Sequence, residues 1–66
     1  MELGKRIAKI RRSENMTQKE LAERAGISIN YLSRIEIGSC PRPHVKTIAR
    51  IAKCLGVELE LLLKEM

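Results

Sequence analysis

The chain has 66 residues, 44% of them hydrophobic, and a formal net charge of +5. That length holds at most one domain, and a fold this small buries only roughly 60% of its unfolded surface. No run approaches the ~18 apolar residues of a membrane span, and "MELGKRIAKIRR" lacks the apolar stretch of a signal peptide, so one domain over 1–66, acting in the cytoplasm, is expected.

Five helices are expected in chain order. The first runs from about Glu2 to Ser13, with Leu3, Ile7 and Ile10 on one face, and Asn15 is a reasonable stop. Thr17 and Glu20 have the T-x-x-E spacing of a capping box, which starts the second helix. Gly26 then interrupts a strong helix former at a cost of about 1 kcal/mol relative to Ala. Ser28 can cap the third helix and Gly38 can end it. "GSCPRP" reads as a loop. The fourth helix follows Pro43, with Val45, Ile48, Ile51, Ala52 and Leu55 inward, and ends at Gly56. The fifth, Glu58 to Met66, carries Leu59, Leu62, Leu63 and Met66 on one stripe and Leu61 opposite. No segment alternates as a strand, so the fold is all-α.

The break at Gly26 has a physical reading. Two helices of about eight residues cannot bury their apolar faces in line. They must cross, and the turn needs a residue with positive φ, which glycine adopts without steric cost. Leu21, Ala25, Ile27, Leu32 and Ile35 then face one core, with Ala22 small where the helices approach. This arrangement, over about 17–37, is a helix-turn-helix, whose second helix enters the DNA major groove.

Charge points the same way. Residues 5 to 12 hold Lys5, Arg6, Lys9, Arg11 and Arg12, and Arg42, Lys46, Arg50 and Lys53 lie in an acid-free stretch between Glu36 and Glu58. Small basic domains often meet nucleic acid, although solvated helix faces also collect lysine. On the third helix, Leu32 and Ile35 mark the core side; Asn30, Ser33, Arg34 and Ile37 lie opposite, with Ile29 at the margin. Arg can grip guanine O6 and N7, and Asn adenine N6 and N7. Gln18 opens the second helix, where free N–H groups and the dipole favour an anion.

The segments "IAKIRR", "TQKELAERAGIS", "YLSRIEIG", "RP" and "IARIAKCLGV" occur in an order that resembles the Cro/phage-repressor (Xre-like) helix-turn-helix proteins. The resemblance runs from Leu3 to Leu63 and implies a compact five-helix domain of the lambda-repressor-like type. It also implies a sequence-specific regulator of double-stranded DNA, in most cases a repressor. By that resemblance, base contacts fall on Ser28, Ile29, Asn30 and Arg34, with Ser33 on the same face, and Gln18 meets a phosphate. Thr17 can share that phosphate if capping leaves its hydroxyl free. Arg42 and His44 match loop positions with basic side chains near the backbone, although His44 equally suits the start of the fourth helix. Tyr31 fits either a phosphate donor or packing against the second helix. The family's Arg–Glu pair maps onto Arg11 and Glu36, and Arg11 can also reach a phosphate. Ile37 departs from the family, which often has a polar residue there.

The expected target is a palindromic operator bound by a homodimer, with Leu61, joined by Met66, on the C-terminal helix as the proposed contact, although a lone surface Leu is common. An antitoxin with a toxin partner and a protein-interaction module that has lost DNA binding are the competing readings. An enzyme is not expected: there is a single His and no phosphate-cradling Gly-rich loop. No cofactor is implied. Cys40, Cys54 and His44 lack metal-ligand spacing; Cys54 reads as a buried free thiol and Cys40 as an exposed loop residue.

Overall fold

Five helices run through the described residues, 2–40 and 43–63, of this computed structural model. They are α1 Glu2–Ser13, α2 Gln18–Ala25, α3 Ile29–Ile37, α4 Val45–Leu55 and α5 Leu59–Leu63. Among the described residues there is no strand, and no helix is long and apolar enough to cross a membrane.

The helix ends follow local chemistry. Asn15 takes the left-handed conformation, φ 56°, and Met16 N–H donates back to the Arg11 carbonyl, closing α1. At α2 the capping box forms in both directions. Thr17 Oγ1 accepts from Glu20 N–H at 3.0 Å, and Thr17 N–H donates to Glu20 Oε1 at 2.9 Å. That backbone N–H, then the Thr17 hydroxyl and the Arg24 charge, hold the Glu20 carboxyl below its usual range. The carboxylate's capping contribution is complete above the ordinary glutamate range and fades as pH falls through the lowered value.

Gly26 sits at φ 72°, and its N–H donates to the Ala22 and Glu23 carbonyls. Ile27 N–H reaches the Ala22 carbonyl at 3.0 Å, which completes a Schellman-type end. Only two residues later Ser28 Oγ caps α3 by accepting from Tyr31 N–H. The chain turns sharply because a left-handed residue and an extended N-cap stand close together, and α2 and α3 then pack across each other.

One core is built from all five helices. Leu3 and Ile7 come from α1, Leu21 from α2, Leu32 and Ile35 from α3, Ile48 and Ile51 from α4, and Leu62 from α5, all fully buried. Each such side chain contributes about 1.5–3 kcal/mol through burial. α1 packs on α3, α4 and α5, so it braces the helix-turn-helix from behind. Its approach to α3 is close at Gly4. A Cβ there would press against the Ile35 carbonyl oxygen and stand 2.7 Å from that of Glu36.

Three core assignments differ from the expectation. Val45 is exposed, along with His44 and Lys46, so the start of α4 stands in solvent and its apolar side chain there is not covered. Cys54 is only half-buried, and Cys40 is half-buried against the core because the loop after Gly38 folds back; both are free. The fifth helix begins at Leu59 and is described to Leu63, with Leu62 buried and Leu61 exposed. Met66 and Arg42 lie outside the described residues.

Candidate nucleic-acid interface

α3 turns Leu32 and Ile35 into the core and leaves Asn30 and Arg34 exposed on its outer side. Ile29 is 46% exposed and Ile37 74%, so an apolar residue flanks the polar pair at each end of the helix. Ser28 is exposed but its hydroxyl is occupied at the cap, and Ser33 is half-buried, nearer the helix margin than its spacing implied. Arg34 and Asn30 are i, i+4 neighbours and hence lie on one side of the helix.

Beside the start of α3 lies an open depression lined by Arg11, Arg12, Asn15, Met16, Thr17, Gln18, Lys19 and Ile29. It joins the end of α1, the start of α2 and the first residue of α3. Arg12 and Lys19 are exposed on its walls, and no acidic residue lines it. The N–H groups of Gln18 and Lys19, at the start of α2, have no intrahelical partner, and both residues line this hollow. Sequence reasoning assigned no contact to Arg12 or Lys19. The signal was present, since Arg12 ends the basic run of α1 and Lys19 adjoins Gln18, but which cations face the same hollow depends on the turn between the helices.

Under the depression is a buried polar network. Arg11 Nε donates to Glu36 Oε2 at 2.8 Å and Arg11 Nη2 to Glu36 Oε1 at 3.1 Å, a two-point contact. Arg11 Nη1 donates to the Met16 carbonyl at 2.8 Å. Gln18 Nε2 donates to Glu36 Oε1 at 2.8 Å, a bond without any local signature in the sequence. Among the described residues, every buried side-chain nitrogen and oxygen has a partner. Arg11 is therefore largely buried, with each guanidinium nitrogen engaged, while it still lines the depression.

The remaining loop residues are tied to structure. His44 caps α4 through Nδ1, which accepts from Lys46 N–H at 3.2 Å. Its backbone N–H donates to the Tyr31 hydroxyl oxygen at 3.5 Å. Tyr31 is half-buried against the core, and its hydroxyl hydrogen is still available to an acceptor. Among the described residues there is no cluster of His, Cys, Asp and Glu able to hold a metal ion.

Comparison with known proteins follows the same geometry. A helix-turn-helix family model matches residues 7–62. The HTH-type transcriptional regulator SinR of Bacillus subtilis (strain 168) is 33% identical over 63 residues, covering 96% of this chain and 57% of the relative. The immunity repressor protein of Bacillus phage phi105 is 35% identical over 65 residues, covering 98% of this chain and 44% of the relative. The chain thus spans about half the length of the curated relatives it matches. A crystal structure of SinR, the master regulator for biofilm formation, in complex with DNA superposes with TM-score 0.89 at 33% identity. It covers 92% of this chain and 97% of that one. The N-terminal DNA-binding domain of SinR from Bacillus subtilis gives TM-score 0.90 at 33% identity, covering 96% and 91%. A five-helix fold, a helix-turn-helix at its centre and relatives of this kind make the chain a member of the Cro/phage-repressor (Xre-like) helix-turn-helix family.

Proposed function

We propose that this chain binds double-stranded DNA sequence-specifically in the cytoplasm and regulates transcription by occupying an operator. α3 lies in the major groove, and no bond-making chemistry is involved. The observation that carries the reading is the exposed Asn30–Arg34 pair on α3, set beside the basic depression at the start of α2. Asn30, Arg34 and Ile29, with Ser28 and Ser33 at the margins, face base edges. Ile29 suits a thymine methyl, and the other two match adenine and guanine edges. Gln18, Arg12 and Lys19 meet the phosphate backbone, with Thr17 and the Tyr31 hydroxyl beside them. By the family positions they match, Arg42 and His44 add further backbone contacts. The likeness to SinR, solved in complex with DNA, and to a phage repressor supports the DNA-binding reading.

Binding is expected to weaken steeply with salt. A dimer neutralising about eight phosphates gives a log–log slope near −7. A titration with a slope shallower than about −2 would sink the proposal. Arg34→Ala should cost about 1–3 kcal/mol and relax preference at one base pair. Selection of bound sequences from a random pool reads this directly, and uniform weakening of all sequences would make Arg34 a backbone contact.

One recognition helix reads few base pairs, so two copies on half-sites about one turn apart, roughly 34–36 Å, are proposed. Leu61 is 43% exposed, and Arg6 Nη1 donates to its carbonyl at 3.0 Å, which ties this turn of α5 to α1. The two-fold contact is proposed at that turn. Leu61→Glu should keep the fold and weaken binding to a palindromic site more than to a half-site. Equal weakening of both would move the contact elsewhere.

A further inference from the structure

Gln18 stands at the first position of α2, where a long side chain ordinarily samples many rotamers. Its amide nitrogen is instead bonded to Glu36 Oε1 at 2.8 Å, across the helix-turn-helix. A carboxylate only accepts, so the nitrogen, and not the amide oxygen, must face Glu36. That leaves the second hydrogen on the same nitrogen for another acceptor. Glu36 also lies on Arg11, at 2.8 and 3.1 Å, so its charge is balanced at short range. A bare carboxylate under this hollow would repel an approaching phosphate; a paired one repels it far less.

We propose that Glu36 is a positioning residue for DNA binding. It fixes the Gln18 amide so that the remaining N–H is presented to a phosphate, while Arg11 masks the carboxylate charge. The rotamer freedom of Gln18 is then lost on folding rather than on binding. This rests on the DNA-binding reading above and deepens it: a core ion pair and a backbone contact become one unit.

A double-mutant cycle tests it, using a duplex of random sequence at fixed low salt. The native chain, Gln18→Ala, Glu36→Gln and the double variant are compared at a temperature where circular dichroism shows all four folded. Gln18→Ala should weaken binding about tenfold in the native background, and no more than about twofold in the Glu36→Gln background. The same tenfold loss in both backgrounds would make Glu36 merely structural and overturn the proposal. No loss from Gln18→Ala while the native chain still binds would also overturn it and leave the DNA-binding reading standing. Failure of the native chain to bind at low salt would overturn that reading itself. Should Glu36→Gln not fold, side-chain NMR of the native chain decides. One Gln18 Nε2 proton should exchange slowly, and the other should shift when duplex is added. Rapid, equal exchange of both protons would overturn the proposal.

Discussion

Glu36→Ala is expected to lower the unfolding free energy by about 3–5 kcal/mol, the usual result of stripping one partner from a buried ion pair. The carboxylate accepts three hydrogen bonds, two from Arg11 and one from Gln18. Without it, a guanidinium on a residue that is 8% exposed keeps only the Met16 carbonyl. A domain of this size has a total stability of roughly 3–10 kcal/mol, so the variant stands near the edge of folding. The melting temperature should fall by roughly 12–40 °C, at about 4–8 °C per kcal/mol. Circular dichroism melts measure this, and a fall of only a few degrees would remove the pair from the list of stabilising contacts. Replacing both partners, with Arg11→Met and Glu36→Leu together, separates a stranded charge from lost volume. Buried pairs exchanged for apolar residues of similar size are often neutral or better. The double variant should therefore melt well above Glu36→Ala, but with the Gln18 amide released from its acceptor.

What could be read from the sequence depended on how local the cause was. The Thr17–Glu20 box, the caps at Ser28 and Gly38 and the left-handed turn at Gly26 involve residues within four positions of each other, and spacing alone exposed them. The apolar stripes of α3 and α4 were legible because a helical period sorts Leu32, Ile35, Ile48 and Ile51 to one side. Val45 obeys the same period and is nonetheless exposed, since periodicity gives a direction and says nothing of where neighbouring helices stop. The half-burial of Cys40 depends likewise on the path of a loop. The Gln18–Glu36 bond joins residues 18 positions apart and follows from the crossing of α2 and α3. Arg11 could be paired with Glu36 through family resemblance, but the extent of its burial required coordinates.

Several constraints converge on the C-terminal half of α3. Leu32 and Ile35 fix its core side, Glu36 ties it to α1 and α2, and the carbonyls of Ile35 and Glu36 abut Gly4. Arg34 projects from the same turn. A side chain that reads a base edge needs its helix held to a fraction of an ångström, and here that rigidity comes from contacts on the opposite side of the helix from the proposed DNA. On the proposed reading, stability and specificity are coupled through α3. Loosening α1 should blur base preference before it abolishes non-specific binding, because the cations around the depression act through charge and tolerate small displacements.

Gly4→Ala should be the sharpest test of that coupling, because its sign is opposite to the ordinary expectation. In an exposed helix interior, replacing glycine with alanine stabilises by about 1 kcal/mol. Gly4 is buried in α1, and an added Cβ would collide with the Ile35 carbonyl oxygen and stand 2.7 Å from that of Glu36. These are backbone atoms of a packed helix, so no flexible side chain can swing aside. Relief requires α1 to move off α3, which opens contacts at Leu3 and Ile7, both fully buried. Overpacking of this kind costs about 1–3 kcal/mol, occasionally more, and a clash with two carbonyls belongs at the upper end. After the helix-propensity gain is offset, the net loss should be about 2 kcal/mol, read as a lower midpoint in urea with an unchanged slope. Gly4→Ser should cost at least as much, having a similar Cβ and no comparable propensity gain. Among folded molecules of Gly4→Ala, the displaced α1 should relax base preference at the Arg34 position while binding to a random duplex stays within about threefold. An alanine variant more stable than the native chain would mean that α1 and α3 have room between them, and the close approach at Gly4 would have to be abandoned.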